Sequence, residues 1–331
     1  MGRRFLVLGS NSFSGAHFVS HLLVHGHEVL GVSRSEEPHE VFLPYKWLPA
    51  GQGGFVFERI DLNHDLDRLM ELVCFHQPTH VVNFAAQSMV AQSWETPEHW
   101  YQTNVLAQVR FHDRLRTLDS LEKYVHVSTP EVYGTTDGRI TENFEFSPST
   151  PYAVSRAACD LHLRSFHKAY GFPVVFTRAA NVYGPGQQLY RIIPRAMLFA
   201  RTGRRLQLDG GGHSIRSFIY IDDVADATRR VALDGTPGAS YHVSTASEVS
   251  VRELIERICS MMRVPFGDLV DVSDDRLGKD QAYLLDTMLI RDELGWSDQT
   301  DLEKGLAMTL GWIDAQLSLL SQFPDDYEHK Q

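Results

Sequence analysis

Thr129, Glu131, Tyr152 and Arg156 fall within one stretch, STPEVYGTTDGRITENFEFSPSTPYAVSRAACD, and together could move protons. Tyr152 and Arg156 are four residues apart at the start of a helix candidate, so they share one face. A fixed cation beside a phenol is expected to bring its pKa down from about 10 toward neutrality. The resulting tyrosinate can take a proton from an alcohol while a hydride leaves the same carbon. Most Tyr-x-x-x-Arg pairs are surface packing. This one gains weight from its place after YVHVSTPEVYG, a strand end opening into a turn that carries Thr129 and Glu131.

A departing hydride needs an acceptor, and the N-terminus offers a place for one. VLGSNSFSGAHF follows an apolar strand and opens a helix. Such a turn aims backbone N–H groups and a helix N-terminus at a pyrophosphate. Strand, turn, helix and second strand fit within about thirty residues, the span of a dinucleotide-binding unit. Gly9, Asn11, Ser12, Phe13, Ser14 and Gly15 are its candidate contacts. Ser12 stands where a middle glycine is often found and can offer a hydroxyl to phosphate. The second strand ends in Ser33, Arg34 and Ser35. An acidic residue there would bind the adenosine ribose and repel a 2′-phosphate, whereas Arg can grip a phosphate in a fork. NADP is therefore favoured, with NAD as the alternative and a merely surface-exposed Arg34 as the bland reading.

These residues need a scaffold. The chain has 331 residues, 43% hydrophobic and 22% charged, with formal charge −11. That balance is globular and argues against a general nucleic-acid or membrane-surface partner, both of which select basic faces. Cys74, Cys159 and Cys259 are too few and too scattered for a disulfide framework or a metal set, which points to a reducing compartment. The apolar run Phe5–Leu8 is too short for a signal peptide or a membrane span, so the cytoplasm is the simplest location. His21, His25 and His27 lack a carboxylate or thiol to complete a metal site. Asp222 and Asp223 read as a helix N-cap.

RFLVLGS, EVLGVSRS, FVFERIDL, HVVNFAAQS, YVHVST and VVFTRAANVYG read as strands with continuous apolar runs, as in parallel strands covered on both faces. Helix candidates at Gly15–His25, Leu66–Phe75, Trp100–Leu118 and Ala153–Tyr170 alternate with them. The fold class is α/β, a Rossmann-type doubly wound parallel sheet with a smaller C-terminal substrate-binding lobe. Residues 1–182 would bind the dinucleotide and residues 183–331 mainly the substrate. The boundary is soft, and segments near 215–245 are candidates to return to the sheet.

The chain resembles the extended short-chain dehydrogenase/reductases, and among them the nucleotide-sugar 4,6-dehydratases. HVVNFAAQS and SWETPEHWYQTN look like GDP-mannose 4,6-dehydratases. SPSTPYAVSRAACD, TRAANVYGPGQ, IRSFIYIDDVADA and YLLDTMLIRDELGW look like dTDP-glucose 4,6-dehydratases. The resemblance implies that Thr129 holds the sugar O4, Tyr152 takes its proton, and Arg156 replaces the family Lys that anchors the nicotinamide ribose. Glu131 would take the C5 proton, water would leave from C5/C6, and the hydride would return to C6.

The resemblance also places Asp61 and Leu62 beside adenine, and Phe84, Ala85, Ala86 and Gln87 along the cofactor. Asn104 would support the site, Ser88 would lie near the sugar, and Asn181, Arg191 and Arg216 would hold the nucleotide diphosphate. It implies a homodimer built on the helices near 100–118 and 153–170. Two residues depart from the pattern: Pro130 stands where the dTDP-glucose enzymes have an Asp, and Arg156 where the family has Lys. A 4-epimerase, which needs no C5 base, is the sister reading. A cofactor-binding sensor or scaffold that has lost catalysis is the reading from another class.

Overall fold

The computed structural model describes residues 2–49, 54–274 and 282–329. Its centre is a seven-stranded parallel sheet: β1 (Arg4–Leu8), β2 (Glu28–Ser33), β3 (Gly54–Arg59), β4 (His80–Asn83), β5 (Lys123–Val127), β6 (Val174–Ala179) and β7 (Ser240–Val243). The spatial order is β7-β6-β5-β4-β1-β2-β3. The order reverses at β1, which pairs with β2 on one side and β4 on the other. Ligands of such sheets bind outside the carboxyl ends of the strands at this reversal.

Alternation along β1 shows why the apolar runs are continuous. Phe5 and Val7 enter one core and Leu6 and Leu8 the other, and all four are buried. Helices α1 (Phe13–Val24), α6 (Ile192–Thr202) and α7 (Ile221–Asp234) cover the first face. Helices α2 (Leu66–His76), α4 (Ala107–Leu115) and α5 (Pro151–Tyr170) cover the second. The short helix α3 (Pro97–Tyr101) runs into α4 through a π-helical stretch, Gln102–Leu106.

Several elements differ from the sequence expectation. The FVFER part of FVFERIDL lies in β3 at the sheet edge, so its side chains are half-buried or exposed instead of being buried throughout. VVFTRAANVYG breaks at Ala180: Val174–Ala179 is β6, and Asn181–Tyr183 leaves the sheet to pair with Phe218–Tyr220. Asp222 and Asp223 do not cap α7. They sit in its first turn, after Tyr220 at the cap position. The Asp223 carboxylate instead accepts from the backbone N–H groups of Gln299 and Thr300, at 2.9 and 3.1 Å, and so anchors a later loop.

Candidate active site

The turn after β1 is built for close approach. Gly9 has φ +77°, and a Cβ there would lie 2.9 Å from the backbone nitrogen of Ala85. A Cβ on Gly15 would lie 2.2 Å from the carbonyl oxygen of Gly9. Only glycine fits either position. Ser12 caps α1, its Oγ accepting from Gly15 N at 3.1 Å, so its own hydroxyl hydrogen remains to donate. Asn11 N donates to Ser33 Oγ at 3.0 Å and Asn11 Nδ2 to the Ser35 carbonyl at 3.0 Å. These bonds lock the turn to the end of β2, with Phe13 buried and Ser14 half-buried behind it. Arg34 is half-buried at this junction. The turn thus has the shape of a dinucleotide cradle, and the residues present fit a nicotinamide dinucleotide.

Sequence reasoning missed Glu37 and Tyr45 at this end. Tyr45 donates to Glu37 Oε1 at 2.8 Å and lies 3.4 Å from Asn11 Oδ1. Nothing in the local pattern marks them, because the connection after β2 is irregular.

Across the sheet, Asp61 caps a tight turn by accepting from Asn63 N at 2.8 Å, and Leu62 is buried beside it. After β4, Phe84, Ala85 and Ala86 are half-buried while Ser88 is exposed. Asn104, fully buried in the π-helical stretch, accepts from Gln87 N at 2.8 Å. Its amide donates to Gln87 O at 3.0 Å and to Ser155 Oγ at 2.9 Å. Asn104 thus clamps the loop after β4 to α5, and its side-chain bonds run to protein groups. π-Helical turns of this kind are frequent at functional sites.

The proton-transfer candidates gather at the end of β5. Thr129 is the N-cap of a 3-10 turn, Pro130–Tyr133, and its Oγ1 accepts from Glu131 N at 3.3 Å. Pro130 occupies the first helical position, where its fixed φ is already right and no N–H is needed. Tyr152, at the start of α5, is buried, hydrogen-bonded to the Thr129 side chain and within electrostatic reach of Arg156, Glu131 and Arg191. Four of the predicted residues therefore meet, and Arg191 joins them from the N-terminus of α6.

The phenol is not brought toward neutrality. Burial raises the Tyr152 pKa above its ordinary value; Arg156, the Thr129 bond and Arg191 pull it down without cancelling that burial, and Glu131 pushes it up. Desolvation outweighs the cation because the ring is enclosed almost completely.

Arg156 is 2% exposed and donates from Nη2 to the Val127 carbonyl, with His126 Nε2 at 3.3 Å. Its Nε has no hydrogen-bond partner among the described residues. One helical turn on, buried Asp160 accepts from Ser128 Oγ at 2.7 Å and pairs with Arg178 Nη2 at 2.8 Å. Asp160 thereby ties α5 to the residue preceding Thr129. Burial, then the neighbouring Arg156, hold His126 well below the usual imidazole range, so it is neutral.

On the lobe side, Asn181 Oδ1 accepts from Tyr283 at 2.9 Å, and the Arg216 guanidinium lies 4.4 Å over the same ring. Asn181 and Arg216 are thus brought together, with Tyr283 between them. Tyr283 opens the YLLDTMLIRDELGW stretch, but nothing in the sequence assigned it to the site, which it reaches from a remote segment. No cluster of His, Cys, Asp or Glu suited to a metal occurs among the described residues. His21 instead contacts Asp226 and Arg229. No helix among the described residues is long and apolar enough to cross a membrane.

Comparison with known proteins places the chain in a family. The GDP-mannose 4,6 dehydratase family model matches residues 6–309. The chain belongs to this family. As an extended short-chain dehydrogenase/reductase of the 4,6-dehydratase kind, it shares that family's nicotinamide chemistry. It is 31% identical to the dTDP-glucose 4,6-dehydratase of Xanthomonas campestris, over 93% of this chain and 92% of that one. The solved dTDP-glucose 4,6-dehydratase of Streptomyces venezuelae, with NAD bound, superposes with a TM-score of 0.87 at 30% identity, covering 95% and 98% of the two chains. The UDP-glucose 4-epimerase of Thermus thermophilus, complexed with NAD, gives a TM-score of 0.84 at 26% identity, covering 94% and 99%.

Proposed function

We propose that this dehydratase converts a nucleoside-diphosphate hexose to its 4-keto-6-deoxy product, with the roles distributed as follows. Thr129 and Tyr152 engage the sugar O4, and Tyr152 removes its proton. A bound nicotinamide dinucleotide supplies the hydride acceptor and later donor. Glu131 takes the C5 proton once C4 is a ketone. Arg156 gives charge to the phenol, and its unpartnered Nε is the donor left for the nicotinamide ribose. Gly9, Asn11, Ser12, Phe13, Ser14 and Gly15 cradle the pyrophosphate. Asp61 and Leu62 flank adenine, and Phe84, Ala85, Ala86 and Gln87 line the cofactor. Asn104 acts through Gln87. Ser88 lies near the sugar, and Asn181, Arg191 and Arg216 take the diphosphate. Pro130 removes the Asp acid of the dTDP-glucose pattern, so Glu131 or water delivers the proton to the leaving hydroxyl.

The carrying observation is that Thr129, Glu131, Tyr152 and Arg156 converge at one strand end. Glu131 is what distinguishes dehydration from the sister epimerase reading. Ser33, Arg34 and Ser35 at the end of β2, with no carboxylate among them, support NADP as the cofactor. Residues 1–182 serve the dinucleotide and 183–331 mainly the substrate. Exposed Tyr101, Leu106, Val154 and Leu161 on the α3–α4 segment and α5 support a homodimer through these helices. A cytoplasmic setting suits three free cysteines and a soluble-sugar substrate.

The test is a panel of GDP-, dTDP-, UDP- and CDP-hexoses followed by mass spectrometry. Loss of water from one of them is expected. Cofactor binding with no conversion of any sugar would support the sensor reading instead.

A further inference from the structure

The segment after the last helix, Leu302–Leu320, does not trail into solvent. Phe323 packs edge-on against Phe42 and His39, in the connection after β2, with centroids 5.2 and 5.4 Å away. Asp325 is bonded to Arg204, and Asp326 to Arg195 at 2.8 Å, both on the lobe. Tyr327 lies 5.4 Å from the Tyr190 ring. His329 stacks on Trp100 at 4.9 Å and accepts from or donates to His99 at 2.9 Å, at the start of the helical segment after β4. Trp100 is fully buried.

The segment therefore touches three separate connections, after β2, after β4 and on the lobe. The first two sit on either side of the sheet reversal. Tyr327 also lies within electrostatic reach of both Arg34 and Arg191, and His329 of Arg34. Arg34 marks the adenosine end of the cradle, and Arg191 is the cation that also reaches Tyr152. The segment thus comes near both Arg34 and Arg191. It lies beyond residue 309, where the family match stops.

We propose that Phe323–His329 forms the outer wall of the dinucleotide site, with Tyr327 and His329 covering the adenosine half of the bound cofactor. This rests on reading the Gly9–Gly15 turn as a dinucleotide cradle. Phe323, Asp325 and Asp326 fasten the segment, so Tyr327 and His329 can be trimmed while it stays attached. A wall must part to admit ligand as well as to release it. Removing its side chains therefore accelerates both events, whereas removing a simple contact accelerates release alone.

The experiment measures association and dissociation rates of NADP and NAD by stopped-flow fluorescence. It compares the parent, Tyr327→Ala/His329→Ala, and a chain ending at Ser321. The double variant is expected to release cofactor at least tenfold faster and to bind it faster, with the unfolding midpoint of the cofactor-free protein unchanged. The truncated chain is expected to go further in the same direction. Unchanged rates in the double variant overturn the proposal even if the truncated chain fails to fold. A rise in release alone also overturns it, reducing the segment to a contact. A parent that binds neither NAD nor NADP overturns the cradle reading and the wall with it, whereas a parent that binds and a double variant with parent rates leaves the cradle standing.

Discussion

Arg156 donates a hydrogen bond to the carbonyl of Val127, two residues before Thr129. The guanidinium is thus fastened to the end of β5, next to the turn that Thr129 opens. It also opposes the burial that raises the Tyr152 pKa. One side chain thus touches the strand that leads to Thr129 and partly offsets the effect of burial on the phenol. Arg156→Met should lower turnover by about 10²-fold, the lower range for impaired general-base chemistry. With the opposing cation gone, the phenol pKa rises further, so the alkaline pH needed for the surviving rate should rise as well. Arg156→Lys keeps the charge and should recover much of the pH profile while losing the Nη2 contacts to Val127 and His126. A pH–rate series on the three proteins checks this. An unshifted profile in Arg156→Met would separate Arg156 from the phenol.

Asp160 and Arg178 form an ion pair with both side chains fully buried. Removing one partner leaves the other charge uncompensated and typically costs about 3–5 kcal/mol. Asp160→Asn and Arg178→Met should each lower the denaturant midpoint strongly. The double variant should lose less than the sum, because neither orphan charge remains. Equilibrium urea unfolding of the three variants measures the coupling. Strict additivity would show that the pair is not a unit.

Burial also depresses several histidines. His21 and His80 are brought down to about 4 and His242 to about 3, desolvation being the largest cause in each. An unfolded chain binds protons on these rings from about pH 6.5 downward, and the folded chain does not. What these rings contribute to stability is fully present above pH 6.5 and is lost as pH drops toward about 4, and toward about 3 for His242. For His80, buried beside Thr79, the loss is on the order of 3 kcal/mol once titration is complete. Unfolding midpoints should fall steadily from pH 7 to pH 4. His80→Gln should flatten part of that slope, and a variant slope equal to the parent's would remove His80 from the account.

Much of this site was legible in the sequence because it depends on local geometry. The spacing of Gly9 and Gly15, and of Tyr152 and Arg156, is fixed by a turn and by one helical turn. What escaped depends on distance in the chain. Tyr283 meets Asn181 only because a remote segment packs there, and Tyr45 meets Asn11 through an irregular connection. The expected lowering of the Tyr152 pKa failed for a related reason. Sequence shows the neighbouring cation but not the degree of enclosure, and enclosure was the larger effect. β3 read as buried because apolar content shows in the sequence while edge position does not.

Arg34 gives a direct prediction at the cofactor. A charge-assisted bond to a phosphate contributes about 1.5–3 kcal/mol, equivalent to roughly tenfold or more in affinity. Arg34→Ala should therefore weaken NADP by about that factor and leave NAD nearly unchanged. Titration of both cofactors into stripped protein measures it. Tighter NAD than NADP binding in the parent would assign NAD instead.

The carboxylate of Glu131 separates the two halves of the proposed reaction. C4 oxidation needs Tyr152 and Thr129, which remain when Glu131 becomes Gln. Elimination needs a base for the C5 proton, and an amide of nearly the same shape is a poor one. Loss of a general base typically costs about 10²–10⁴-fold. Glu131→Gln should therefore accumulate reduced nicotinamide and a 4-keto sugar, with little dehydrated product and little deuterium entering C5 from heavy water. Tyr152→Phe should instead block reduced-cofactor formation at the outset. Single-turnover absorbance of the nicotinamide, paired with mass spectrometry of the sugar, distinguishes the two. Should Glu131→Gln dehydrate at the parent rate, the C5 base lies elsewhere. Since Glu131 sits one residue past Pro130 in the same 3-10 turn, the loop would then have to be reassigned as a purely structural cap for Thr129.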